Sequence, residues 1–356
     1  MEKTAISLKE LWEEFREQNP KVRIRDAARI LGVSEAELLA ASTGGTAIRL
    51  DGDFKELLKQ AGTLGRVMAL TRNDFCVHER KGIYEEVSFN NHVGLALGPD
   101  IDLRLFMSRW KCAFAVREGA RRSLQFFDGE GTAVHKIYLT EDSDQDAFEK
   151  LAEQYRAADQ EAPLLLKPVA PLPLNSEVPA QKTKPKEAEA VPDEAVRAFQ
   201  TAWLELKDTH DFFGLLAKYK LNREKAMHIA PEGYALEINV VKLKRIFEKA
   251  AASELPVMVF TASPGCVQIH TGLVQRLVQT GPWFNVLDSD FNLHLKEDGI
   301  HSVWVVKKPT VDGIVTGVEV FDRHGALIMQ VFGKRKPGIP EDENWRRLIK
   351  EMTASN

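Results

Sequence analysis

The sequence predicts an α+β protein made by tandem duplication, each half opening with helices and continuing into a large antiparallel sheet, the two halves packed together. Three observations predict this. The chain has 356 residues, more than one hydrophobic core usually serves. Two blocks of it repeat. Within each copy the apolar period changes once, from helical to alternating.

The repeat is direct. "VMALTRNDFCVHERKG" from Val67 aligns without gaps on "VMVFTASPGCVQIHTG" from Val257, setting Cys76 on Cys266 and Gly82 on Gly272. The same register carries "IDLRLFMSRWKCAFAV" onto "FNLHLKEDGIHSVWVV", and a small shift places "LQFFDGEGTAVHKIYL" on "VEVFDRHGALIMQVFG". Residues 1–160 form the N-terminal repeat, 161–192 a Pro-rich linker, and 193–356 the C-terminal repeat.

Helical spacing opens the first copy, with Leu8, Leu11, Trp12 and Phe15, then Phe54, Leu57, Leu58 and Ala61. From about Gly65 the period falls to two, with turn residues such as "LGPD" and "FDGEG" between the runs. Helices segregated from strands argue for an antiparallel sheet rather than βαβ units. The linker is rich in Pro, Lys, Glu and Ala, and proline forbids a regular helix or ladder strand there. Its triple leucine, 164–166, is expected to pin its start to a surface.

Residues 206–219 read "LKDTHDFFGLLAKY". As a helix they set Phe212, Leu215, Leu216 and Tyr219 on a buried stripe and His210 on nearly the opposite side, with Phe213, Gly214 and Ala217. That side is cleared of long polar side chains, as a flat ligand would require. Asp208 or Thr209 caps the helix, and either could also constrain the imidazole.

Positions that differ between copies on one face are candidates for function. In the first copy Asp102, Arg104 and Phe106 share a strand face that becomes Asn292, His294 and Lys296 in the second. Arg104 beside Phe106 suits a flat anion, although a solvated sheet face has the same alternation. Only the second copy gathers cations at its last strands: Lys307 and Lys308, then Lys334, Arg335 and Lys336, near Gln330 and Phe332. The paired cysteines read as small buried hydrophobes. His228, His301 and His324, near turns, read as ordinary surface or hydrogen-bonded histidines.

A net charge of −4 gives no general reason for nucleic acid or an anionic membrane as partner. The N-terminus is charged rather than a secretion signal, apolar runs are too brief to span a bilayer, and three cysteines suit neither zinc nor a disulfide framework. A cytosolic protein without membrane insertion is expected. There is no GxGxxG after a strand, P-loop, GxSxG or HExxH.

Together these residues resemble the cytoplasmic haem-trafficking and haem-degrading proteins of Gram-negative bacteria, the HemS, ChuS and PhuS type. The likeness spans nearly the whole chain: tandem repeat, Pro-rich linker, and "DTHDFF" near the start of the second half. It implies that His210 is the proximal iron ligand, and that Arg104 and Phe106 supply distal groups, with Arg104 the residue facing the chemistry. It further implies Lys308 and Arg335 at the haem propionates, Gln330 and Phe332 as lining, and Arg223 as a further pocket residue. The residues suit haem, a flat apolar disc with two carboxylates and an iron that accepts imidazole. Phe213 would flank it, and Gly214 would let it approach the helix.

The resemblance covers two activities: carrying haem for uptake and iron acquisition, and opening its ring with dioxygen and an external electron donor. It brings as partners a downstream haem oxygenase or the inner-membrane haem importer, and leaves a homodimer open. A third reading is a DNA-binding regulator. "IRDAARILGVSEAELLAAS" from Ile24 has helix-turn-helix form, with Gly32 at the turn, Ser34 as cap, and Lys21, Arg23, Arg25 and Arg29 before or within it. Against it, Glu35 and Glu37 on the second helix would repel phosphates.

Overall fold

At Gly65 the chain passes from helix into strand, the residue where the hydrophobic period falls to two. The structure is a computed structural model and describes residues 7–90, 93–166, 192–335 and 338–354. Most of the expected linker, and Lys336, lie outside the described residues. The first repeat contains α1 (Leu8–Gln18), α2 (Ile24–Leu31), α3 (Glu35–Ala40), β1 (Ala47–Leu50), α4 (Phe54–Gln60), β2 (Gly65–Arg72), β3 (Cys76–Gly82), β4 (Val87–Phe89), β5 (Gly94–Leu97), β6 (Asp102–Leu105), β7 (Cys112–Glu118), β8 (Arg121–Phe127), β9 (Ala133–Ser143) and α5 (Gln145–Gln154). The second contains α6 (Asp193–Leu204), α7 (Asp211–Tyr219), α8 (Arg223–His228), β10 (Ala235–Ile238), α9 (Val240–Ala252), β11 (Val257–Ala262), β12 (Cys266–Gly272), β13 (Leu277–Thr280), β14 (Trp283–Leu287), β15 (Phe291–Lys296), β16 (Ser302–Thr310), β17 (Gly313–Phe321), β18 (Leu327–Gly333) and α10 (Glu343–Ala354).

The expected α+β duplication is present, with two nine-stranded sheets whose paired registers are antiparallel. Their orders are β1-β7-β8-β9-β2-β3-β15-β14-β13 and β10-β16-β17-β18-β11-β12-β6-β5-β4, so each sheet uses strands of both repeats. Two features depart from helices-then-strands: α5 and α10 close the copies after their strands, and a short strand interrupts the opening helices of each copy. Its register repeats too, Ala47 opposite Val116 and Ala235 opposite Val306.

The chain forms two compact units. The described residues up to Thr71, those from Lys81 into the linker, and Ser263–Val267 make unit 1; Arg72–Arg80 and the rest of the second repeat make unit 2. Each unit therefore contains a turn from the other repeat. In unit 1 the hydroxyl of Thr71 donates to Cys266 Sγ at 3.5 Å; in unit 2 Cys76 Sγ lies 3.4 Å from the Thr261 hydroxyl. Both cysteines are fully buried, and burial pushes their thiols up to about 12. Leu164 and Leu166 pack on unit 1 while Leu165 is exposed, as the triple leucine suggested.

In unit 2 one sheet serves two cores. Val303, Val305, Val318, Val320 and Val331 pack with α9 and α10. Trp304, Val306 and Phe321, from alternate positions, pack with Phe199 and Trp203 of α6, Phe212, Leu215 and Leu216 of α7, and Met227 of α8. That second layer fixes α7 and its N-terminus.

The helix-turn-helix exists as local geometry. Gly32 adopts φ 70° at the turn, and Ser34 caps α3 in a reciprocal box with Glu37. Its second helix is buried instead of presented: Glu35, Ala36, Leu38 and Leu39 are all covered, and the Ala36 amide donates to the Gly131 carbonyl at 3.2 Å. Glu35 is paired with the buried Lys136. A helix held this way cannot enter a DNA groove, and the regulator reading is set aside.

Candidate functional site

His210 precedes α7 and does not lie within it. The helix begins at Asp211, because Asp208 closes a turn on the residues before it. Asp208 Oδ1 accepts the His210 amide at 2.8 Å and sits 2.6 Å from Nδ1 of its ring, while the Asp208 amide donates to Asp211 Oδ2 at 3.0 Å. Of the two residues the sequence left open, Asp208 constrains the imidazole. The Asp208 carboxyl is held below the ordinary aspartate range, chiefly by the His210 amide, then by the ring and the charge of Arg335, against partial burial. A carboxylate at Nδ1 favours the tautomer with its proton there and the lone pair on Nε2, the arrangement that orients histidines toward metals. The ring is 87% exposed, so Nε2 is accessible.

The helical stripe falls where the spacing put it. Phe212, Leu215 and Leu216 are buried, whereas Phe213, Gly214 and Ala217 are exposed. Phe213 is 63% exposed, an unusual state for a phenyl ring, and a Cβ added at Gly214 would meet nothing within 4 Å. Three and four residues on from His210, then, are one open aromatic ring and bare backbone.

Beneath this surface lies a charged cluster that the sequence reading did not find whole. Glu319, on β17, is fully buried. Arg223 grips it with two bonds, Nε at 2.6 Å and Nη2 at 2.9 Å; Lys308 Nζ lies at 2.5 Å and Gln330 Nε2 at 3.1 Å. The same cations face rings of α7. Arg223 lies 5.3 Å from the Phe212 centroid and 5.2 Å from that of Phe213, and Lys308 lies 4.5 Å from Phe212. Burial works against the Glu319 charge, yet Arg223 and Lys308 hold its carboxyl far below the ordinary range. Burial pushes the Lys308 ammonium down to about 8, with Arg223 adding to the fall and Glu319 opposing it. Removing one member of such a buried set costs about 3–5 kcal/mol, since the other charges are left uncompensated.

Phe332 completes this side. Its ring lies over Gly317, where a Cβ would come within 2.4 Å of it, and edge-on to Phe260 at 5.3 Å. Gly317 thus makes the room that Phe332 occupies. Unit 2 accordingly brings together Arg223, Lys308 and Gln330 on Glu319, Phe213 on Arg223, and Arg335 near Asp208.

Arg104 and Phe106 belong to unit 1. On β6, Leu103 and Leu105 are buried while Asp102 and Arg104 face outward, the alternation expected. Arg104 is engaged by Asp102 on the same face and by the Leu103 carbonyl at 3.2 Å. Phe106, just past the strand end, is 36% exposed. The Gly265 carbonyl fixes it, accepting the Phe106 amide and the Trp110 indole N–H, each at 2.9 Å. A Cβ on Gly265 would come within 2.9 Å of Val134 and 3.0 Å of Trp110 Nε1.

The description "Haemin-degrading HemS.ChuX domain" matches residues 32–155 and again 220–352. The chain belongs to this family. It is 36% identical to the hemin transport protein HmuS of Yersinia pestis, across 97% of both chains. It is similar to holo-PhuS, a heme-binding protein from Pseudomonas aeruginosa, at 46% identity and TM-score 0.87, with 96% of both chains covered. It is also similar to ChuS, described as an E. coli heme oxygenase, at 33% identity and TM-score 0.83, with 96% of this chain and 98% of that one covered. The family domain thus occurs twice along the chain, in agreement with the duplication read from the sequence.

Glu319 had a signal of its own. It is an acid between two valines in a strand whose neighbours are apolar, and the aligned residue of the first repeat is the neutral Gln125. The buried histidines were also missed, because they interrupt alternating strands without any motif. In unit 1 His135 Nε2 lies 2.5 Å from the Tyr84 hydroxyl and Nδ1 2.8 Å from that of Thr71. His78 and His270 pack with Phe291 in unit 2, His270 stacked flat on its ring at 3.7 Å.

Proposed function

We propose that this protein binds haem, with Nε2 of His210 as the iron ligand, and carries it in the cytoplasm for iron acquisition. The observation behind this reading is the Asp208–His210 pair, which turns one imidazole nitrogen outward three and four residues before an open phenyl ring and a bare glycine. Haem brings an iron that accepts imidazole, a flat apolar ring and two carboxylates. Phe213 and Phe332 offer aromatic surface, and Arg335, Lys308 and Arg223 supply positive charge at or beneath it. Arg104 and Phe106 are proposed as further haem groups on the strength of the family resemblance of their strand. Haem oxygenase or an importer as exchange partner belongs to the same proposal. Relatives named for hemin transport and heme binding support the ligand.

Hemin titration followed by absorbance tests this directly. A saturable Soret shift at one hemin per chain is expected, lost or altered in His210→Ala. A variant spectrum identical to wild type would remove His210 from the iron. Because one relative is described as a heme oxygenase, ascorbate added to the loaded protein is the next test. Loss of the Soret band with formation of a bilin product would add ring opening to carriage.

A further inference from the structure

The two repeats open matching helices with charges of opposite sign, each paired with a charge on the sheet. In the first, the acid Glu35 opens helix α3 and pairs with Lys136 on the sheet. In the second, the base Arg223 opens helix α8 and pairs with the acid Glu319 on the sheet. Lys136 aligns with Gln330, and Glu319 with Gln125. By strand register Lys308 stands where the first repeat has the exposed Glu118. The first corner pairs an ammonium with a carboxylate. The second sets a guanidinium and an ammonium against one carboxylate. Both cations are almost wholly buried, and both touch the rings that open α7.

We propose that Glu319 is a positioning residue for the ligand: through Arg223 it holds Phe212 and Phe213, and with them the turn that carries His210, while it leaves one buried positive charge in excess that favours a ligand bearing carboxylates. The first part follows from geometry. Arg223 is fixed at both ends of its guanidinium fork by the two Glu319 oxygens, and both rings rest on it. Phe212 and Phe213 are the second and third residues of α7, so their placement sets where Asp208 and His210 begin. The second part follows from counting among the described residues: two cations, Arg223 and Lys308, bond the one Glu319 carboxylate, and its third partner, Gln330, is neutral. The inference rests on the haem reading and adds to it a residue and a basis for selectivity.

The test compares hemin with hemin dimethyl ester, which keeps the ring and iron but lacks the carboxylates. Both are titrated into wild type, Glu319→Gln and Lys308→Met, each checked for folding by urea denaturation. In Glu319→Gln, affinity for both ligands should fall about 10–100-fold, the usual loss when a supporting residue behind a metal ligand is removed, with a broadened Soret band. In Lys308→Met, hemin binding should weaken more than ester binding, so the ratio between the two ligands narrows. Should Glu319→Gln fail to fold, Arg223→Lys keeps the charge but not the fork, and must show the same loss for both ligands. Unchanged affinity and spectrum in a folded Glu319→Gln would overturn the positioning role. An unchanged hemin-to-ester ratio in Lys308→Met would overturn the charge argument. A wild type that binds neither ligand overturns the haem reading first, and the inference with it.

Discussion

Replacing His135 by glutamine should change how stability depends on pH, and the size of the change can be worked out. The His135 ring is buried between Tyr84 and Thr71, and burial pushes its pKa down to about 3 from 6.5. The unfolded chain takes up a proton below about 6.5 that the folded chain refuses until about 3. Folding is therefore weakened as pH falls through that window, by about 1.4 kcal/mol per pH unit. Between pH 7 and pH 5 the loss from this one group is about 2 kcal/mol, a factor of about 30 in the unfolding equilibrium. Urea denaturation followed by circular dichroism at the two pH values measures it. His135→Gln is expected to be less stable at pH 7, having lost the fit between Tyr84 and Thr71, yet to lose about 2 kcal/mol less than wild type on going to pH 5. The contributions of His78 and His270, also held low by burial, are common to both proteins and cancel. Equal pH dependence in the two proteins would refute the reasoning.

Other substitutions have equally definite outcomes. Asp208→Ala should weaken hemin binding about 10–100-fold while hardly moving the urea midpoint, since the pair is exposed and its work is to orient the ring; a large stability loss with intact binding would contradict this. Gly317→Ala should displace the Phe332 ring, destabilising the protein by about 1–3 kcal/mol and weakening hemin binding, as read by urea midpoint and titration. Gly265→Ala should cost a similar amount and disturb Phe106, with Trp110 emission as the local reporter. A thiol reagent should leave Cys76, Cys112 and Cys266 unmodified in the native protein and titrate all three after denaturation, because burial raises each thiol to about 12.

The duplication, the helix-to-strand change at Gly65, the buried stripe of Phe212, Leu215 and Leu216, and the exposed Phe213 and Gly214 were all legible in the amino-acid order. Each is a local periodicity or a match between two stretches of chain, and both are properties of sequence alone. Even the helix-turn-helix was read correctly as geometry, but its burial was not. Whether a capped helix faces solvent or a core depends on Gly131 and Lys136, roughly a hundred residues away. The same limit hid the Glu319 cluster, whose members come from α8, β16, β17 and β18 and meet only when three strands are in register beneath a helix. It also left open whether Asp208 or Thr209 holds His210, because that choice is made by a turn of three hydrogen bonds rather than by spacing. Local order in the chain decides which faces are apolar and where elements begin. Only the folded sheet decides which distant charges share a carboxylate, because a buried charge is stable only where its partners converge.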